Sequence, residues 1–191
     1  SANGRVYFVN PQGVYFAGTS VINATGLYAA AGQISNADFL AGRDRFTDLH
    51  GRVVNQGLID AQRVGLFGDS VANEGEIHVG SGFLTMVAGD TVYLREHGGR
   101  ITVEVDGQTL TADGSPAAGQ TDPTMDGDAG VDNDGTIDAP GGRVMLGAGD
   151  MYAMAIRNRG RITVAGGEAA LVARDGAIVN DGTIDASAAQ G

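Results

Sequence analysis

One short pattern recurs along this chain: an apolar residue followed, at every second position, by Asn, Gly, Ile and a small apolar residue. The copies centre, in chain order, on Gly57, Gly75, Gly99, Gly135, Gly160 and Gly182. Only the Gly99 copy departs from the pattern before its Gly, because His97 replaces Asn and Arg95 replaces the first apolar residue. All six copies keep the isoleucine: Ile59, Ile77, Ile101, Ile137, Ile162 and Ile184.

Successive copies are 18, 24, 36, 25 and 22 residues apart, counted from Gly to Gly. Repeats of roughly 20 to 50 residues are typical of solenoids, propellers and arrays. Within each copy the apolar positions alternate with others, which is the period of a strand rather than of a helix. Stacked turns would place one isoleucine over the next and bury them. The spacing therefore predicts an all-β fold, a right-handed parallel β-helix (solenoid) with about 20–25 residues per turn and extra-helical excursions.

The Asn and Gly of each copy are expected to form one corner of the β-helix. Gly supplies a positive φ where the chain turns sharply. Asn bonds nearby backbone groups, and stacked Asn side chains bond one another along a ladder. The predicted corner residues are Asn55, Asn73, Asn133, Asn158 and Asn180.

A single β-helix over residues 1–191 leaves two segments that do not fit a turn. Residues 31–50 are predicted to be an extra-helical excursion that Phe39, Leu40 and Phe46 pack onto the shaft. The 36-residue step exceeds an ordinary turn, which predicts an acidic loop insertion over residues 106–130. Loops of this kind are where solenoids usually place binding.

Composition excludes several classes of function. The net charge of −11 argues against nucleic acid as a partner, because such binding needs a basic surface. The chain has no cysteine, so disulfides and thiolate metal sites are excluded. No apolar run reaches the length of a membrane span. No signal peptide is visible, so the chain is expected to be a piece of a longer protein.

Acidic residues crowd the end of the predicted insertion: Asp126, Asp128, Asp132 and Asp134. Carboxylates on flexible backbone are the ligands that Ca²⁺ prefers. The EF-hand spacing fails, however, because no glutamate follows at the required distance. We therefore expect a solvated acidic turn and no bound cofactor, with these residues as weak calcium candidates.

A carbohydrate-degrading or carbohydrate-binding β-helix is the alternative enzyme-like interpretation. In each copy, the residue that follows the repeated isoleucine points outward. Stacking would therefore place Asp60 near His78 and Asp138 near Thr163. An imidazole between carboxylates can act in acid–base chemistry. No arginine or lysine adjoins it, and a surface histidine is usually inert. We therefore expect a non-enzymatic protein.

Two stretches, residues 3–16 and 34–46, resemble the filamentous haemagglutinin-type two-partner secretion (TPS) domain of bacterial exoproteins in order and spacing. The matching motif residues are Asn10, Pro11, Gly13, Asp38, Phe39 and Leu40. The resemblance covers about residues 3–60, and the remainder is similar to the repetitive shaft that follows. Gln12 stands where the family usually has Asn, and the family's first coils and N-terminal cap have no counterpart here.

The resemblance implies a segment of a large, adhesin-like exoprotein that is secreted or held at the bacterial cell surface. It implies a partner, the outer-membrane transporter of the parent chain, and a host-cell or carbohydrate ligand. Under this interpretation, residues 31–50 are either a recognition element for export or a flap that covers an exposed face. A third alternative for the chain is a filament subunit that self-associates end to end, because uncapped solenoid ends expose strand edges.

Overall fold

The computed structural model describes residues 2–97, 100–106, 108–110, 129–149 and 154–187. Nearly every element in this part of the chain is a strand, and the one described helix is α1 (Asn36–Leu40). The strands are β1 (Ala2–Val9), β2 (Val14–Phe16), β3 (Val21–Ala30), β4 (Asp44–Phe46), β5 (Arg52–Asn55), β6 (Leu58–Gly68), β7 (Ser70–Asn73), β8 (Glu76–His78), β9 (Phe83–Ala88), β10 (Val92–His97), β11 (Arg100–Val105), β12 (Gln108–Leu110), β13 (Val131–Asn133), β14 (Thr136–Asp138), β15 (Arg143–Ala148), β16 (Met154–Asn158), β17 (Arg161–Thr163), β18 (Glu168–Ala173), β19 (Ala177–Asn180) and β20 (Thr183–Asp185).

Two parallel sheets form the body of the molecule. One has six strands in the order β19-β16-β13-β7-β5-β2. The other has ten and follows β18-β15-β9-β6-β8-β14-β17-β20, with β3 joined to β6 and β1 to β3. The chain leaves a strand of the six-stranded sheet at the Asn corner and enters a strand of the ten-stranded sheet. Each new turn pairs in parallel with the one before, which confirms the predicted β-helix.

The isoleucines of the repeat lie in one column through parallel pairing. Ile59 pairs with Ile77, Ile77 with Ile137, Ile137 with Ile162 and Ile162 with Ile184. The column begins one turn earlier at Ile22, which pairs with Ile59 and which the repeat pattern did not reveal. The four central side chains are fully buried, so the column forms the spine of the inner core.

The prediction that Ile101 belongs to this column is wrong. Ile101 lies in β11, which pairs antiparallel with β10, and its partner there is Glu96. This segment is not a turn of the β-helix, because a strand before it, β8, pairs directly with a strand after it, β14. Alternating apolar residues mark any half-buried strand, so the Gly99 copy has the period of the repeat without being a turn of it.

The chain leaves the β-helix twice, first over residues 31–50 and again after β9. This second departure starts earlier than the predicted insertion over 106–130. It includes β10, β11 and β12, and the chain rejoins the β-helix at β13. Within the predicted insertion, residues 107 and 111–128 lie outside the described part of the chain.

The two departures meet in one four-stranded antiparallel sheet, ordered β12-β11-β10-β4. Strand β4 comes from residues 31–50 and pairs with β10, with Phe46 opposite Val92. This sheet packs on the outer face of the β-helix through a second apolar cluster, in which Phe46 stacks on Phe67 with ring centroids 4.9 Å apart. The molecule consequently has two cores: one inside the coil and one between the coil and the added sheet.

The corner glycines do not have the positive φ that the sequence led us to expect. Positive φ occurs instead at the next corner, for example at Gly141 with φ 68°. At the Asn corner the cause is steric, because a Cβ on Gly160 would overlap the carbonyl oxygen of Gly135 in the turn before. Glycine is thus required there by the close approach of stacked turns rather than by its backbone angles.

Candidate functional site

The first motif of the resemblance forms the tight turn between β1 and β2. The Asn10 side chain accepts from the Gln12 backbone N–H at 3.2 Å, and the Asn10 carbonyl accepts from the Gly13 N–H at 3.0 Å. Gly13 has a φ of 121°, a conformation that other residues rarely adopt. Pro11 lies at the exposed tip. These residues are therefore needed to form the turn, and they place no reactive group at the surface.

The second motif forms α1 and its support. The Ser35 hydroxyl caps the helix, accepting from the Asp38 N–H at 3.0 Å and donating to Oδ2 of Asp38 at 2.7 Å. Arg43 Nε donates to Oδ1 of Asp38 at 2.7 Å. The Ser35 hydrogen bond, followed by that of Arg43, lowers the pKa of Asp38 below its usual range. Asp38 therefore ties the start of the helix to the turn that follows it.

The two large apolar residues of α1, Phe39 and Leu40, project from the protein. The Phe39 ring is 51% exposed and touches the Tyr7 ring edge-on, with centroids 5.3 Å apart. Leu40 is 84% exposed. The expectation that Leu40 packs residues 31–50 onto the shaft is wrong, whereas Phe46 does so. The residue that sequence reasoning missed is Leu49, which is fully buried beside Phe46 in the second cluster.

Beneath α1 lies a group of side chains that joins β1, β3 and β4. The Tyr7 hydroxyl donates to Oδ1 of Asp44 at 2.7 Å, and the Tyr7 ring stacks on Tyr28 at 5.0 Å. Arg5 forms an ion pair with Asp44 at 3.9 Å. Burial, together with the Asp44 carboxylate, raises the pKa of both phenols above its usual range. The base on which α1 rests is therefore fixed by aromatic stacking and by a buried carboxylate.

The outward column beside the isoleucines contains the residues considered for acid–base chemistry. His78 pairs in register with Asp60 on one side and with Asp138 on the other, and Asp138 pairs in turn with Thr163. The imidazole Nε2 is 3.8 Å from a carboxylate oxygen of Glu76. The register thus sets one imidazole in a row with two carboxylates on the strands of the ten-stranded sheet.

The acidic residues near the second departure bind arginines of the next turn. Arg159 Nε donates to Oδ1 of Asp134 at 2.6 Å, and its NH2 group donates to Asp132 at 3.4 Å. Asp132 also pairs with Arg157. The other two weak calcium candidates, Asp126 and Asp128, lie outside the described residues.

No group of three or more His, Asp or Glu side chains is placed to hold a metal ion within the ranges given above. No helix in this part of the chain has the length and apolar character needed to cross a membrane.

The Asn side chains of the corner form a continuous hydrogen-bonded ladder. Each donates from Nδ2 to Oδ1 of the Asn in the next turn, over distances of 2.9, 2.8, 2.7 and 2.6 Å. The ladder runs through Asn55, Asn73, Asn133, Asn158 and Asn180. Four of these residues are fully buried, so the ladder satisfies amides that would otherwise be costly to bury.

Comparisons with known proteins agree with this architecture. A family model described as "TPS secretion domain" matches residues 1–186. The chain resembles the crystal structure of the HMW1 secretion domain from Haemophilus influenzae, with a TM-score of 0.59 and 21% sequence identity. The match covers 93% of this chain and 54% of that one, so the chain spans about half of that structure. No curated protein matches the sequence.

Proposed function

Because the chain belongs to the family of TPS secretion domains, we propose that it presents a secreted exoprotein to the transporter that exports it, and that Phe39 and Leu40 form the contact. The observation that carries this proposal is the exposure of both side chains on a helix that is fixed at both ends. Apolar groups that project from a folded surface are typical of sites that bind another protein.

The support beneath α1 favours recognition over simple packing for this part of residues 31–50. Ser35, Asp38 and Arg43 fix the helix, and the Phe39 ring contacts the Tyr7 ring on one side. A side chain that is already held in place loses little conformational entropy when a partner binds, which lowers the free-energy cost of binding. The flap interpretation suits the other half of the segment, where Phe46 and Leu49 cover the outer face of the coil.

The proposal is tested by binding the purified chain to the isolated periplasmic part of its transporter, measured by surface plasmon resonance. Leu40→Asp and Phe39→Ser are each expected to weaken binding at least about tenfold, as for central interface residues. Ile178→Asp is a matched control. Ile178 is another exposed apolar residue, with 44% exposure, but it lies near the other end of the β-helix. Unchanged affinity in both α1 variants would refute the proposal.

For the rest of the chain we propose a non-enzymatic role as a segment of an adhesin-like shaft, secreted or displayed at the cell surface. This role uses no cofactor. The regular stacking of turns supports it, since a solenoid extends by repetition and separates its two ends. A host-cell or carbohydrate ligand would bind the added sheet or more distant parts of the parent chain.

A carbohydrate-active β-helix is the second candidate, favoured by the register that sets His78 between Asp60 and Asp138. Incubation with acidic polysaccharides, followed by detection of new chain ends, tests it. Turnover that His78→Ala abolishes and Thr183→Ala preserves would establish this function instead. The absence of any turnover by the wild-type chain leaves the shaft role in place.

A further inference from the structure

We propose that the contact with the transporter extends from α1 across the outer face of the added sheet, through Arg45, Tyr93 and Arg95, and that the transporter surface it fits carries carboxylates. This inference rests on the export role proposed above and gives the chemistry of the partner. It assigns a function to the second departure, because β10 supplies two of the three side chains. All three belong to the two departures and none to an end of the β-helix.

The outer face of the added sheet is the one turned away from the coil. In β4, both neighbours of Arg45 are buried, whereas Arg45 itself is exposed. In β10, Val92 and Leu94 are buried in the second apolar cluster. Because side chains alternate along a strand, Tyr93 and Arg95 project from the opposite, outer face. The pairing of β4 with β10 sets Arg45 opposite Tyr93, so the three side chains are neighbours on one surface.

This surface continues directly into α1. The Arg43 N–H donates to the carbonyl oxygen of Asp38 in the helix at 2.8 Å, and the Arg45 N–H donates to the carbonyl oxygen of Arg43 at 3.0 Å. The end of the helix therefore leads straight into β4, which brings Phe39 and Leu40 close to the arginines. Apolar side chains beside arginine and tyrosine are the composition typical of a protein–protein interface.

Tyr93 and Arg95 are already held together in the free protein. The guanidinium carbon of Arg95 lies 4.6 Å from the centre of the Tyr93 ring, which is a cation–π contact. Arg95 also forms an ion pair with Glu104 on the neighbouring strand β11. Side chains fixed in this way lose less conformational entropy when a partner binds. The pair is thus suited to a central position in an interface.

The ion pairs on this surface expose their positive partners, although the protein carries a net charge of −11. The Arg43 side chain is 51% exposed and that of its partner Asp38 is 17% exposed. The Arg95 side chain is 53% exposed and that of Glu104 is 25% exposed. An approaching molecule therefore meets guanidinium groups before carboxylates. A partner surface with aspartate or glutamate side chains complements this arrangement.

Surface plasmon resonance with the isolated periplasmic part of the transporter, repeated at several salt concentrations, tests the charge. The association rate of the wild-type chain is expected to fall as the salt concentration rises. Arg45→Gln is expected to slow association at least about twofold and to weaken its salt dependence. Arg161→Gln makes the same change at an exposed position of β17 and should alter neither quantity.

Removing a carboxylate from this surface should act in the opposite direction. Glu104→Gln takes away the ion-pair partner of Arg95 and is expected to speed association at least about twofold. Asp134→Asn is the matched control, because Asp134 also forms an ion pair with an arginine, Arg159, but does so at the Asn corner. It should leave the rate unchanged. A purely structural role for Glu104 would make its variant bind more weakly instead.

A third variant tests whether the added sheet itself touches the partner. Tyr93→Ala is expected to weaken binding about tenfold, as for a central interface residue. Tyr15→Ala is the control, because Tyr15 is 60% exposed but lies on a strand of the six-stranded sheet, and it should leave the affinity unchanged. Thermal melts of all variants check that the fold is retained.

Three results would overturn the inference. One is transporter binding that the α1 variants weaken but that Arg45→Gln, Glu104→Gln and Tyr93→Ala leave unchanged, which would confine the contact to α1 and keep the export role. Another is an absence of any binding to the transporter, which would refute both proposals. The third is binding to vesicles of phosphatidylglycerol and phosphatidylethanolamine that Arg45→Gln weakens while transporter binding stays unaffected, because the surface would then face an anionic membrane.

Discussion

Asn73 donates from Nδ2 to Oδ1 of Asn133 at 2.8 Å, although the two residues are 60 positions apart in the chain. The bond joins consecutive turns of the β-helix across the whole of the second departure. It shows that the chain leaves for β10–β12 and returns without disturbing the stack of turns. The ladder and the parallel pairing of β7 with β13 together keep the register across this gap in the sequence.

Replacing Asn133 by alanine should destabilise the protein markedly. The substitution removes a fully buried side chain that accepts from Asn73 and donates to Asn158. Two buried polar groups then lack partners, which costs about 2–5 kcal/mol in the free energy of unfolding. Urea denaturation measures this loss. Asn180→Ala is the comparison, because it removes the acceptor of Asn158 alone and should cost less, about 1–3 kcal/mol; equal losses would contradict the role assigned to the ladder.

A charge in the isoleucine column should be tolerated only at its end. Ile137→Asp buries a carboxylate between Ile77 and Ile162, which is expected to cost several kcal/mol, of the order of 4. Ile184→Asp places the same group at a position that is 36% exposed and should cost far less. Thermal melts of the two variants test the difference. Similar melting temperatures would argue against a shared column.

The two kinds of corner glycine should respond differently to substitution. Gly160→Asn forces a side chain against the Gly135 carbonyl and is expected to prevent close stacking, with a loss of about 3 kcal/mol or more. Gly141→Asn meets open space, and asparagine tolerates the left-handed backbone better than most residues. We expect it to cost about 1 kcal/mol. Urea midpoints that rank the variants in the opposite order would contradict the steric explanation.

The added sheet should detach when its aromatic contact is removed. Phe46→Ala takes away a fully buried ring that stacks on Phe67, which typically costs about 3–5 kcal/mol. Leu40→Ala, at an exposed position of the same excursion, is the control and should leave stability within about 0.5 kcal/mol. Limited proteolysis within residues 31–50 reports the detachment. Equal protease resistance in both variants would show that Phe46 does not hold the sheet.

Stability should fall at alkaline pH because of Tyr28. Burial raises the pKa of its phenol well above the usual range, so the folded state keeps a proton that the unfolded state loses. The stabilisation is complete below pH about 10, the unfolded value, and declines by about 1.4 kcal/mol per pH unit above it. Urea denaturation between neutral and alkaline pH should show a shallower decline for Tyr28→Phe than for the wild type. Identical pH slopes would mean that this phenol ionises equally in both states.

Most of the coil could be predicted from the repeat alone. An isoleucine two residues after each Asn-x-Gly indicated which side chains share a face, and the spacing indicated how long each turn is. The same signal failed at Ile101, because a strand of an antiparallel hairpin alternates in the same way. It also missed Ile22, which precedes the first Asn-x-Gly and joins the column only through the pairing of β3 with β6.

The sequence by itself determined the architecture, because a repeated isoleucine and a repeated asparagine in strand-like segments are buried and hydrogen-bonded when successive turns stack. The tertiary structure decided what the departures do: that residues 31–50 and the β10–β12 segment share one sheet, that Phe46 is buried while Leu40 is exposed, and that Gly160 is needed for space. The physical reason is that local periodicity reports which way a side chain points. What lies opposite is set by segments far away in the chain, and only their packing reveals it.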